Sequence, residues 1–180
     1  MKRLFDIVVA FGALFFLLPL FLLVAVLIKL DSVGPVFFRQ TRMGRGFRPF
    51  QILKFRTMID NAKTNGRLIT LARDPRITRV GRILRQTKID ELPQLINVFK
   101  GEMSLVGPRP EVSRYVQAFQ KDYEEILRVR PGMTDLASLK YRNEEAILDN
   151  SDNPDEEYVL HVLPDKISLA KDYLRHSSFL

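Results

Sequence analysis

The chain has 180 residues, which is enough for one domain with an appended membrane element. Its net charge is +7, and it contains no cysteine and only two histidines, His161 and His176. These counts exclude disulfides, thiolate chemistry and cysteine-ligated zinc, and they leave little for a histidine-based metal site.

The first element in the chain is an uncharged apolar run over residues 7–28. A run of this length can cross a bilayer as a helix of about 20 residues. It is long for the apolar part of a signal peptide, and no small-residue cleavage site precedes Lys29. Because Pro19 lies near the middle and removes a backbone donor, we predict a kink there.

Basic residues flank the apolar run on both sides. Lys2 and Arg3 precede it, and Lys29 and Arg39 follow it. The positive-inside rule draws both ends to the cytoplasmic face. A helix broken at Pro19 that enters and leaves by the same face satisfies both flanks. An ordinary kinked span with its N-terminus outside is the alternative, and these residues alone do not choose between the two.

A β-hairpin is predicted after the apolar run. Val36–Gln40 and Phe50–Phe55 have the pattern of short strands, and Gly44 and Gly46 lie between them. The next segment, 61–74, is polar and is predicted to be a connection.

A basic amphipathic helix follows this connection. Its apolar face carries Ile77, Val80, Ile83 and Leu84, and its other face carries Arg76, Arg79, Arg82, Arg85 and Lys88. A helix of this kind commonly lies on a membrane surface. Packing on its own domain, with solvated arginines, is the alternative, and the adjacent apolar run favours the membrane surface.

The rest of the chain is predicted to be mostly helical. Proline and glycine signals predict a short helix from Pro93 to Lys100. Helical spacing of apolar residues predicts one helix over Glu111–Arg128. Another helix begins at Asn153–Glu156, and Pro164 is expected to separate it from a last helix. The predicted fold class is therefore α+β, mostly helical with a little strand.

Positive charge is concentrated in the middle of the chain, from Arg39 to Arg85, where Asp60 and Asp74 are the only acidic residues. This segment is expected to bind an anionic partner: nucleic acid, an anionic membrane or a phosphorylated substrate. Charge alone does not choose among them.

The acidic pair Asp90–Glu91 stands in these basic surroundings, just ahead of the helix that begins at Pro93. The positive end of the helix dipole favours ionised carboxylates there. An ionised carboxylate can attack a phosphoryl group or hold a divalent cation against a pyrophosphate. Capping of the helix N-terminus is the ordinary alternative.

Several basic side chains are candidate phosphate contacts. Lys54, Arg56 and Arg85 have the donors for this, although a solvated basic face or lipid headgroups would also account for them. Two prolines fix the backbone around Arg109 in Gly107–Pro110, which indicates that the direction of this side chain matters. A rigid turn is the alternative.

Taken together in this order, the motifs resemble the bacterial sugar transferase family, the monotopic phosphoglycosyl transferases, in their minimal catalytic-domain form. The resemblance covers nearly the whole chain. The matching segments are Lys2–Asp6, Gly34–Gln40, Arg42–Gly44, Lys54–Met58, Asp90–Val98, Gly101–Pro110 and Arg130–Thr134.

The resemblance implies a covalent mechanism. Asp90 is then the nucleophile, which attacks the β-phosphorus of a UDP-sugar, releases UMP and carries a sugar-phosphate ester that polyprenyl phosphate attacks in turn. Glu91 and Mg²⁺ belong to the same site, where Asp90 and Glu91 are the expected metal ligands. The implied phosphate contacts are Lys54, Arg56, Arg85 and Arg142, and Arg109 is placed at the nucleotide end.

The resemblance also implies an architecture. Residues 1–30 form a re-entrant membrane helix broken at a proline, and residues 31–180 form a membrane-associated catalytic domain with several amphipathic interfacial helices. This domain lies on the cytoplasmic face of the bacterial inner membrane. The implied partners are a UDP-sugar, polyprenyl phosphate and membrane lipids, without nucleic acid, and homo-oligomer formation is left open.

One departure from the family pattern concerns the sugar. Many relatives continue the Pro-Gly-x-Thr motif with Gly-Trp-Ala, whereas this chain has Asp135–Ala137 and no tryptophan. The accepted sugar is therefore undetermined. Two other functions stay open as alternatives: a membrane-tethered module that binds nucleic acid or anionic lipid, and an inactive subunit of a glycan-assembly complex.

Overall fold

The computed structural model describes residues 1–59, 74–149 and 151–176. The predicted polar connection over 61–74 lies outside these residues except for Asp74. The described helices are α1 (Lys2–Asp31), α2 (Arg79–Thr87), α3 (Gln94–Lys100), α4 (Ser113–Ala118), α5 (Gln120–Ile126), α6 (Leu136–Lys140), α7 (Glu144–Asp149), α8 (Pro154–Glu157) and α9 (Leu163–His176). The described strands are β1 (Phe37–Met43), β2 (Pro49–Phe55), β3 (Ser104–Val106) and β4 (Gly132–Thr134). The predicted mostly helical fold with a short hairpin is confirmed.

Helix α1 carries the apolar run and continues through Pro19. Among the described residues it is the one helix long and apolar enough to cross a membrane. The predicted break at Pro19 is not confirmed, and the re-entrant path stays a prediction. One face of α1 is buried through Ala10, Val24 and Ile28, while the opposite face exposes large apolar side chains such as Phe16.

Both ends of α1 dock on the elements that follow it. At the N-terminus, Lys2 and Arg3 donate to carbonyl oxygens of β3 and α3 at 3.0 and 2.7 Å. Asp6 is buried and accepts from Ser104 Oγ at 2.8 Å. At the other end, Asp31 accepts from the second backbone N–H of α2 at 2.9 Å. Polar contacts therefore tie the two ends of the apolar helix to one folded unit.

The predicted hairpin is confirmed. Strands β1 and β2 pair antiparallel, with Phe37 opposite Phe55 and Met43 opposite Pro49, so both extend further towards the turn than predicted. The turn contains a 3-10 helix in which Gly46 has a φ of 65°. This left-handed conformation favours glycine because it has no Cβ.

Three groups of buried side chains hold the described elements together. The largest joins α4, α5, α7 and α9. A second joins α1 to β2 and α3 through Ala10, Ile52 and Leu95, and a third joins α1 to β2 and α2 through Phe55 and Leu84. Strand β2 contributes to both groups that contain α1, and it also lies beside α3 and the turn over Ile89–Glu91.

The predicted basic helix is α2, and it is shorter than predicted because Arg76 precedes it and Lys88 follows it. Thr78 caps its first turn by accepting from a backbone N–H at 3.0 Å. Leu84 packs against α1, whereas Ile83 is exposed, so the predicted apolar face is split. Contact of this helix with a membrane surface stays a prediction.

A short parallel pair, β3 and β4, brings two distant motifs together and was not predicted. Ser104 pairs with Gly132, and Val106 pairs with Thr134. The backbones cross so closely that a Cβ on Gly132 would lie 2.1 Å from the carbonyl oxygen of Gly107. Glycine is therefore required at this crossing for steric reasons.

The single helix predicted over Glu111–Arg128 is wrong. The structure has two helices, α4 and α5, with Phe119 between them at φ −119° and ψ 39°. Tyr115 of α4 and Tyr123 of α5 both belong to the largest buried group, so the apolar face that the spacing predicted is buried in spite of the break.

Pro164 does not separate two helices as predicted. Helix α8 continues through a π-helical turn, Tyr158–Val162, directly into α9. Because proline has no N–H and its ring collides with the carbonyl four residues earlier, an α-helical turn is unfavourable there. The wider π turn accommodates Pro164 without ending the helix.

Candidate active site

The acidic pair lies in a 3-10 turn, Ile89–Glu91, between α2 and α3. Lys88 ends α2 in the left-handed conformation, with a φ of 59°, and so redirects the chain into this turn. Asp90 is buried, and Glu91 faces side chains from two other parts of the chain.

Glu91 is held by two cations. Lys54 of β2 donates to Glu91 Oε1 at 2.8 Å. Arg109 binds both carboxylate oxygens, with a distance of 3.1 Å from Nη1 to Oε2 and a second contact from Nη2 to Oε1. Three residues that the sequence singled out therefore converge, although Lys54 and Arg109 are 37 and 18 positions from Glu91 along the chain.

The position of Arg109 is set by its neighbours. Its backbone N–H donates to Asp135 Oδ2 at 3.0 Å, and Asp135 Oδ1 caps α6 by accepting from the backbone N–H of Ser138 at 2.7 Å. Two residues before Arg109, the close contact of Gly107 with Gly132 anchors the start of the loop. Asp135 is therefore tied directly to the loop that aims Arg109.

Asp90 is the carboxylate with a free oxygen. It is 7% exposed, and its Oδ1 has no hydrogen-bond partner among the described residues. Burial raises the pKa of Asp90, and the charge of Glu91 adds to this. The charges of Lys54, Arg85 and Lys88 lower this pKa but do not cancel the effect of burial.

The pKa of Glu91 moves in the opposite direction. Burial alone would raise it, but Arg109 and Lys54 hold the pKa of Glu91 well below its ordinary value. The pKa of Lys54 is lowered by burial and by Arg109, against the opposing attraction of Glu91. Two adjacent carboxylates thus have pKa values driven apart, an arrangement typical of sites where each plays a different role.

Of the other predicted phosphate contacts, Arg85 is the one whose charge lowers the pKa of Asp90. Its guanidinium donates to Thr57 Oγ1 at 3.3 Å and forms an ion pair with Glu145 of α7. Arg142 is exposed in the turn before α7, without a hydrogen bond or ion pair to the rest of the described chain.

Arg56 is occupied elsewhere. Its buried guanidinium donates to the carbonyl and hydroxyl oxygens of Ser32 at 2.8 and 3.0 Å and to the carbonyl of Val33. It therefore satisfies carbonyl groups at the C-terminal end of α1, which otherwise have no intrahelical partner. A phosphate contact by Arg56 stays a prediction.

The acidic pair fits a metal ion only together with a substrate. Among the described residues, no group of three or more His, Asp or Glu side chains could hold a metal ion. Mg²⁺ commonly uses one or two carboxylates and completes its shell with waters and substrate phosphates. The unpartnered Asp90 oxygen suits such a ligand, whereas both Glu91 oxygens already accept from cations.

Sequence reasoning did not identify the structural roles of three polar residues of this region. Asp135 follows the pattern of a helix N-cap, a signal that could have identified its structural role. Gln94 is completely buried, and neither of its amide atoms has a partner among the described residues. Glu145 pairs with an arginine 60 positions away, and no local signal in the sequence indicates that pairing.

Comparison with known proteins gives a consistent result. A sequence profile of the bacterial sugar transferase family matches residues 1–178. UDP-glucose:undecaprenyl-phosphate glucose-1-phosphate transferase of Caulobacter vibrioides is 49% identical over 144 residues, which cover 77% of this chain and 53% of that protein. Exopolysaccharide production protein PSS of Rhizobium leguminosarum bv. phaseoli is 46% identical over 147 residues, covering 78% and 74%.

A third relative is UDP-N-acetylgalactosamine-undecaprenyl-phosphate N-acetylgalactosaminephosphotransferase of Aeromonas hydrophila. It is 47% identical over 143 residues, which cover 77% of this chain and 33% of that protein. The chain thus spans a third of the Aeromonas protein, about half of the Caulobacter protein and about three quarters of the Rhizobium protein.

Proposed function

This chain belongs to the bacterial sugar transferase family, and we propose that it transfers a sugar 1-phosphate from a UDP-sugar to polyprenyl phosphate with release of UMP. Two relatives are named as undecaprenyl-phosphate sugar phosphotransferases. The observation that carries the proposal is the environment of Asp90. This carboxylate is buried, has one oxygen without a hydrogen-bond partner among the described residues, and is adjacent to Glu91, which pairs with Lys54 and Arg109.

The proposed chemistry has two displacements at one phosphorus atom. The carboxylate of Asp90 forms a bond to the β-phosphorus of the donor, and the bond from this phosphorus to UMP breaks. An oxygen of polyprenyl phosphate then attacks the same phosphorus, and the bond to Asp90 breaks, which restores the carboxylate. No proton has to move in either step, because each nucleophile reacts as its anion.

The cations around the pair have defined tasks in this proposal. Lys54 and Arg109 keep Glu91 ionised, and Arg109 is proposed to contact the nucleotide end of the donor. Mg²⁺, held by Asp90 with Glu91 nearby, would neutralise charge on the donor diphosphate. Arg85 and Arg142 are proposed to contact phosphate oxygens from α2 and from the α6–α7 turn.

The N-terminal helix and the family membership indicate association with a membrane. We propose that both ends of α1 lie on the cytoplasmic face of the bacterial inner membrane, with residues 1–30 re-entrant and residues 31–180 interfacial. Two features support this: both ends make polar contacts with the same folded unit, and the opposite face of α1 is exposed and apolar. The product would begin the assembly of a surface glycan.

UMP release by detergent-purified protein tests the function. The reaction contains undecaprenyl phosphate, Mg²⁺ and one of a panel of UDP-sugars. We expect release with at least one sugar and a loss of more than about a thousandfold in Asp90→Asn, since the nucleophile is removed. The matched control is Asp172→Asn, which makes the same change at a half-exposed side chain of α9 and should keep full activity.

Two results would contradict the proposal. Substantial activity of Asp90→Asn would remove Asp90 as the nucleophile. Full activity in the presence of a chelator would remove the role of Mg²⁺. A third result, no UMP release with any UDP-sugar from folded protein with a verified acceptor, would favour the binding-module or inactive-subunit alternatives.

A further inference from the structure

The segment that contains α6 and α7, residues 136–149, contacts the candidate site from two sides. On one side, Ser138 accepts from Arg109 Nη1 at 3.5 Å. On the other side, Glu145 forms an ion pair with Arg85. The acidic pair Asp90–Glu91 interacts with both of these arginines, Glu91 with Arg109 directly and Asp90 with the charge of Arg85.

The ion pair between Arg85 and Glu145 joins a candidate phosphate contact to a carboxylate. The two side chains are 19% and 35% exposed, so the pair lies at the edge of the protein where solvent and ligands have access. Arginine binds carboxylate and phosphate with the same planar set of donors. A carboxylate on Arg85 therefore occupies the donors that a phosphate group of a substrate would use.

Helix α7 does not depend on this ion pair for its position. Leu148 is 1% exposed and belongs to the largest buried group. The neighbouring Glu144 pairs with Lys166 of α9. Because these two contacts hold α7, Glu145 can lose Arg85 while the helix stays in place.

We propose that Glu145 occupies Arg85 in the donor-free protein and yields it to the diphosphate of the nucleotide-sugar donor. This inference rests on the proposed function. An anion gains Arg85 only if it attracts the guanidinium more strongly than Glu145 does, so Glu145 lowers the affinity for every anion that uses Arg85. Because this cost is the same for every such anion, Glu145 keeps weakly binding anions from filling the site, whereas an anion that binds as strongly as a diphosphate still displaces it.

The test uses UDP, which carries the nucleotide and the diphosphate but no sugar. Its Kd is measured by calorimetry with the full chain in nanodiscs and Mg²⁺. We expect Glu145→Gln to bind UDP about three- to tenfold more tightly, the range that loss of a partly exposed ion pair allows. Glu124→Gln on α5 is the matched control, because it makes the same charge change at an exposed position without touching Arg85 or the contacts that hold α7, and it should bind as the wild type does.

A double-variant comparison identifies Arg85 as the target. In an Arg85→Ala background, which itself weakens UDP binding, Glu145→Gln should have no further effect on Kd. A persisting effect in that background, or equal or weaker binding by Glu145→Gln alone, would overturn the inference and leave the proposed function intact. Wild-type protein that does not bind UDP at all would instead overturn the proposed function and the inference with it.

Discussion

At the scale of single residues, adjacent carboxylates have opposite environments. Glu91 is fully engaged by Lys54 and Arg109, whereas Asp90 is buried with one oxygen that has no partner within the described residues. An ionised group that is buried without full compensation lowers the stability of the fold. A paired carboxylate, when it is removed, leaves two half-buried cations without their partner, which lowers stability. The same substitution should therefore have opposite effects at the two positions.

Asp90→Asn should raise the thermal stability, and Glu91→Gln should lower it. At Asp90 we expect a Tm increase of roughly 2–4 °C, which corresponds to about 1 kcal/mol in a chain of this size. At Glu91 we expect a loss of about 1–3 kcal/mol, discounted for the partial exposure of its partners. Thermal melts at pH 7 in the same detergent measure both. Destabilisation by Asp90→Asn would contradict the interpretation that Asp90 is a buried carboxylate whose charge is not fully compensated.

The raised pKa of Asp90 also sets the direction of a pH dependence. The nucleophile must be ionised, so activity should fall as the pH decreases through the pKa of Asp90, which lies above the ordinary value of about 3.9. Because folding raises this pKa, the destabilising charge of Asp90 is present above it and is relieved as the pH falls through it. Asp90→Asn should lose that part of the pH dependence of stability.

Lys54→Gln tests whether the titrating group is Asp90, because the charge of Lys54 opposes the rise of this pKa. Lys54 lowers the pKa of Asp90, so its removal should move the acid limb of kcat/KM to a higher pH. Arg128→Gln, at an exposed position just after α5, serves as the control and should leave the limb in place. A limb that stays in place in Lys54→Gln would show that the titrating group is not Asp90.

At the scale of elements, a backbone crossing supports the site. Strands β3 and β4 bring Gly107 against Gly132, and the loop that leaves this crossing presents Arg109 to Glu91. Helix α6 starts directly after β4, and its cap, Asp135, binds the backbone of Arg109. Arg109, two residues after Gly107, is therefore positioned by residues that lie more than 20 positions later in the chain, Gly132 and Asp135.

Gly132→Ala should weaken this arrangement. A Cβ there would lie 2.1 Å from the carbonyl oxygen of Gly107, so the backbones must separate. We expect a loss of about 2–4 kcal/mol in stability, as for overpacked sites, and a fall in activity as Arg109 moves. Gly12→Ala is the control, because a Cβ at Gly12 meets nothing within 4 Å and alanine favours the helix. Unchanged melts and activity for Gly132→Ala would contradict the close crossing.

At the scale of the whole molecule, the apolar helix belongs to the fold that carries the site. Helix α1 shares buried groups with β2, α2 and α3, and β2 and the turn between α2 and α3 supply Lys54, Asp90 and Glu91. A perpendicular span would carry one end of α1 about 30 Å away, across the bilayer. The polar contacts at both of its ends favour one side of the membrane for the whole chain.

Cysteine labelling tests this topology, since the chain has no cysteine of its own. One variant has a cysteine directly after Met1, another has Val33→Cys, and Asp172→Cys on α9 marks the side of the domain. With a membrane-impermeant maleimide on intact spheroplasts, we expect no labelling of any of the three, and labelling of all three after permeabilisation. Labelling of the N-terminal cysteine alone in intact spheroplasts would establish a span.

Local features of this protein were predictable from its sequence by itself. The apolar run, the hairpin and the helix after Pro93 were predicted because burial on one face, turn residues and capping leave a mark on neighbouring positions. The resemblance to a family named Asp90, Glu91, Lys54, Arg85 and Arg109 as site residues, but it did not say which side chains meet. The bounds of α4 and α5 were missed because no proline, glycine or other local signal in the sequence marks the break at Phe119.

Only the tertiary structure decided the long-range relations. In the site, these are the pairing of Glu91 with Lys54 and Arg109 and the burial of Asp90. Around it, they are the close contact of Gly107 with Gly132, the hydrogen bonds of Arg56 to Ser32 and the pairing of Arg85 with Glu145. Each joins residues far apart in the chain or depends on what surrounds one of them. Periodicity and motif spacing describe neighbours along the chain, whereas charge pairing and desolvation depend on distances that exist only after the core has packed.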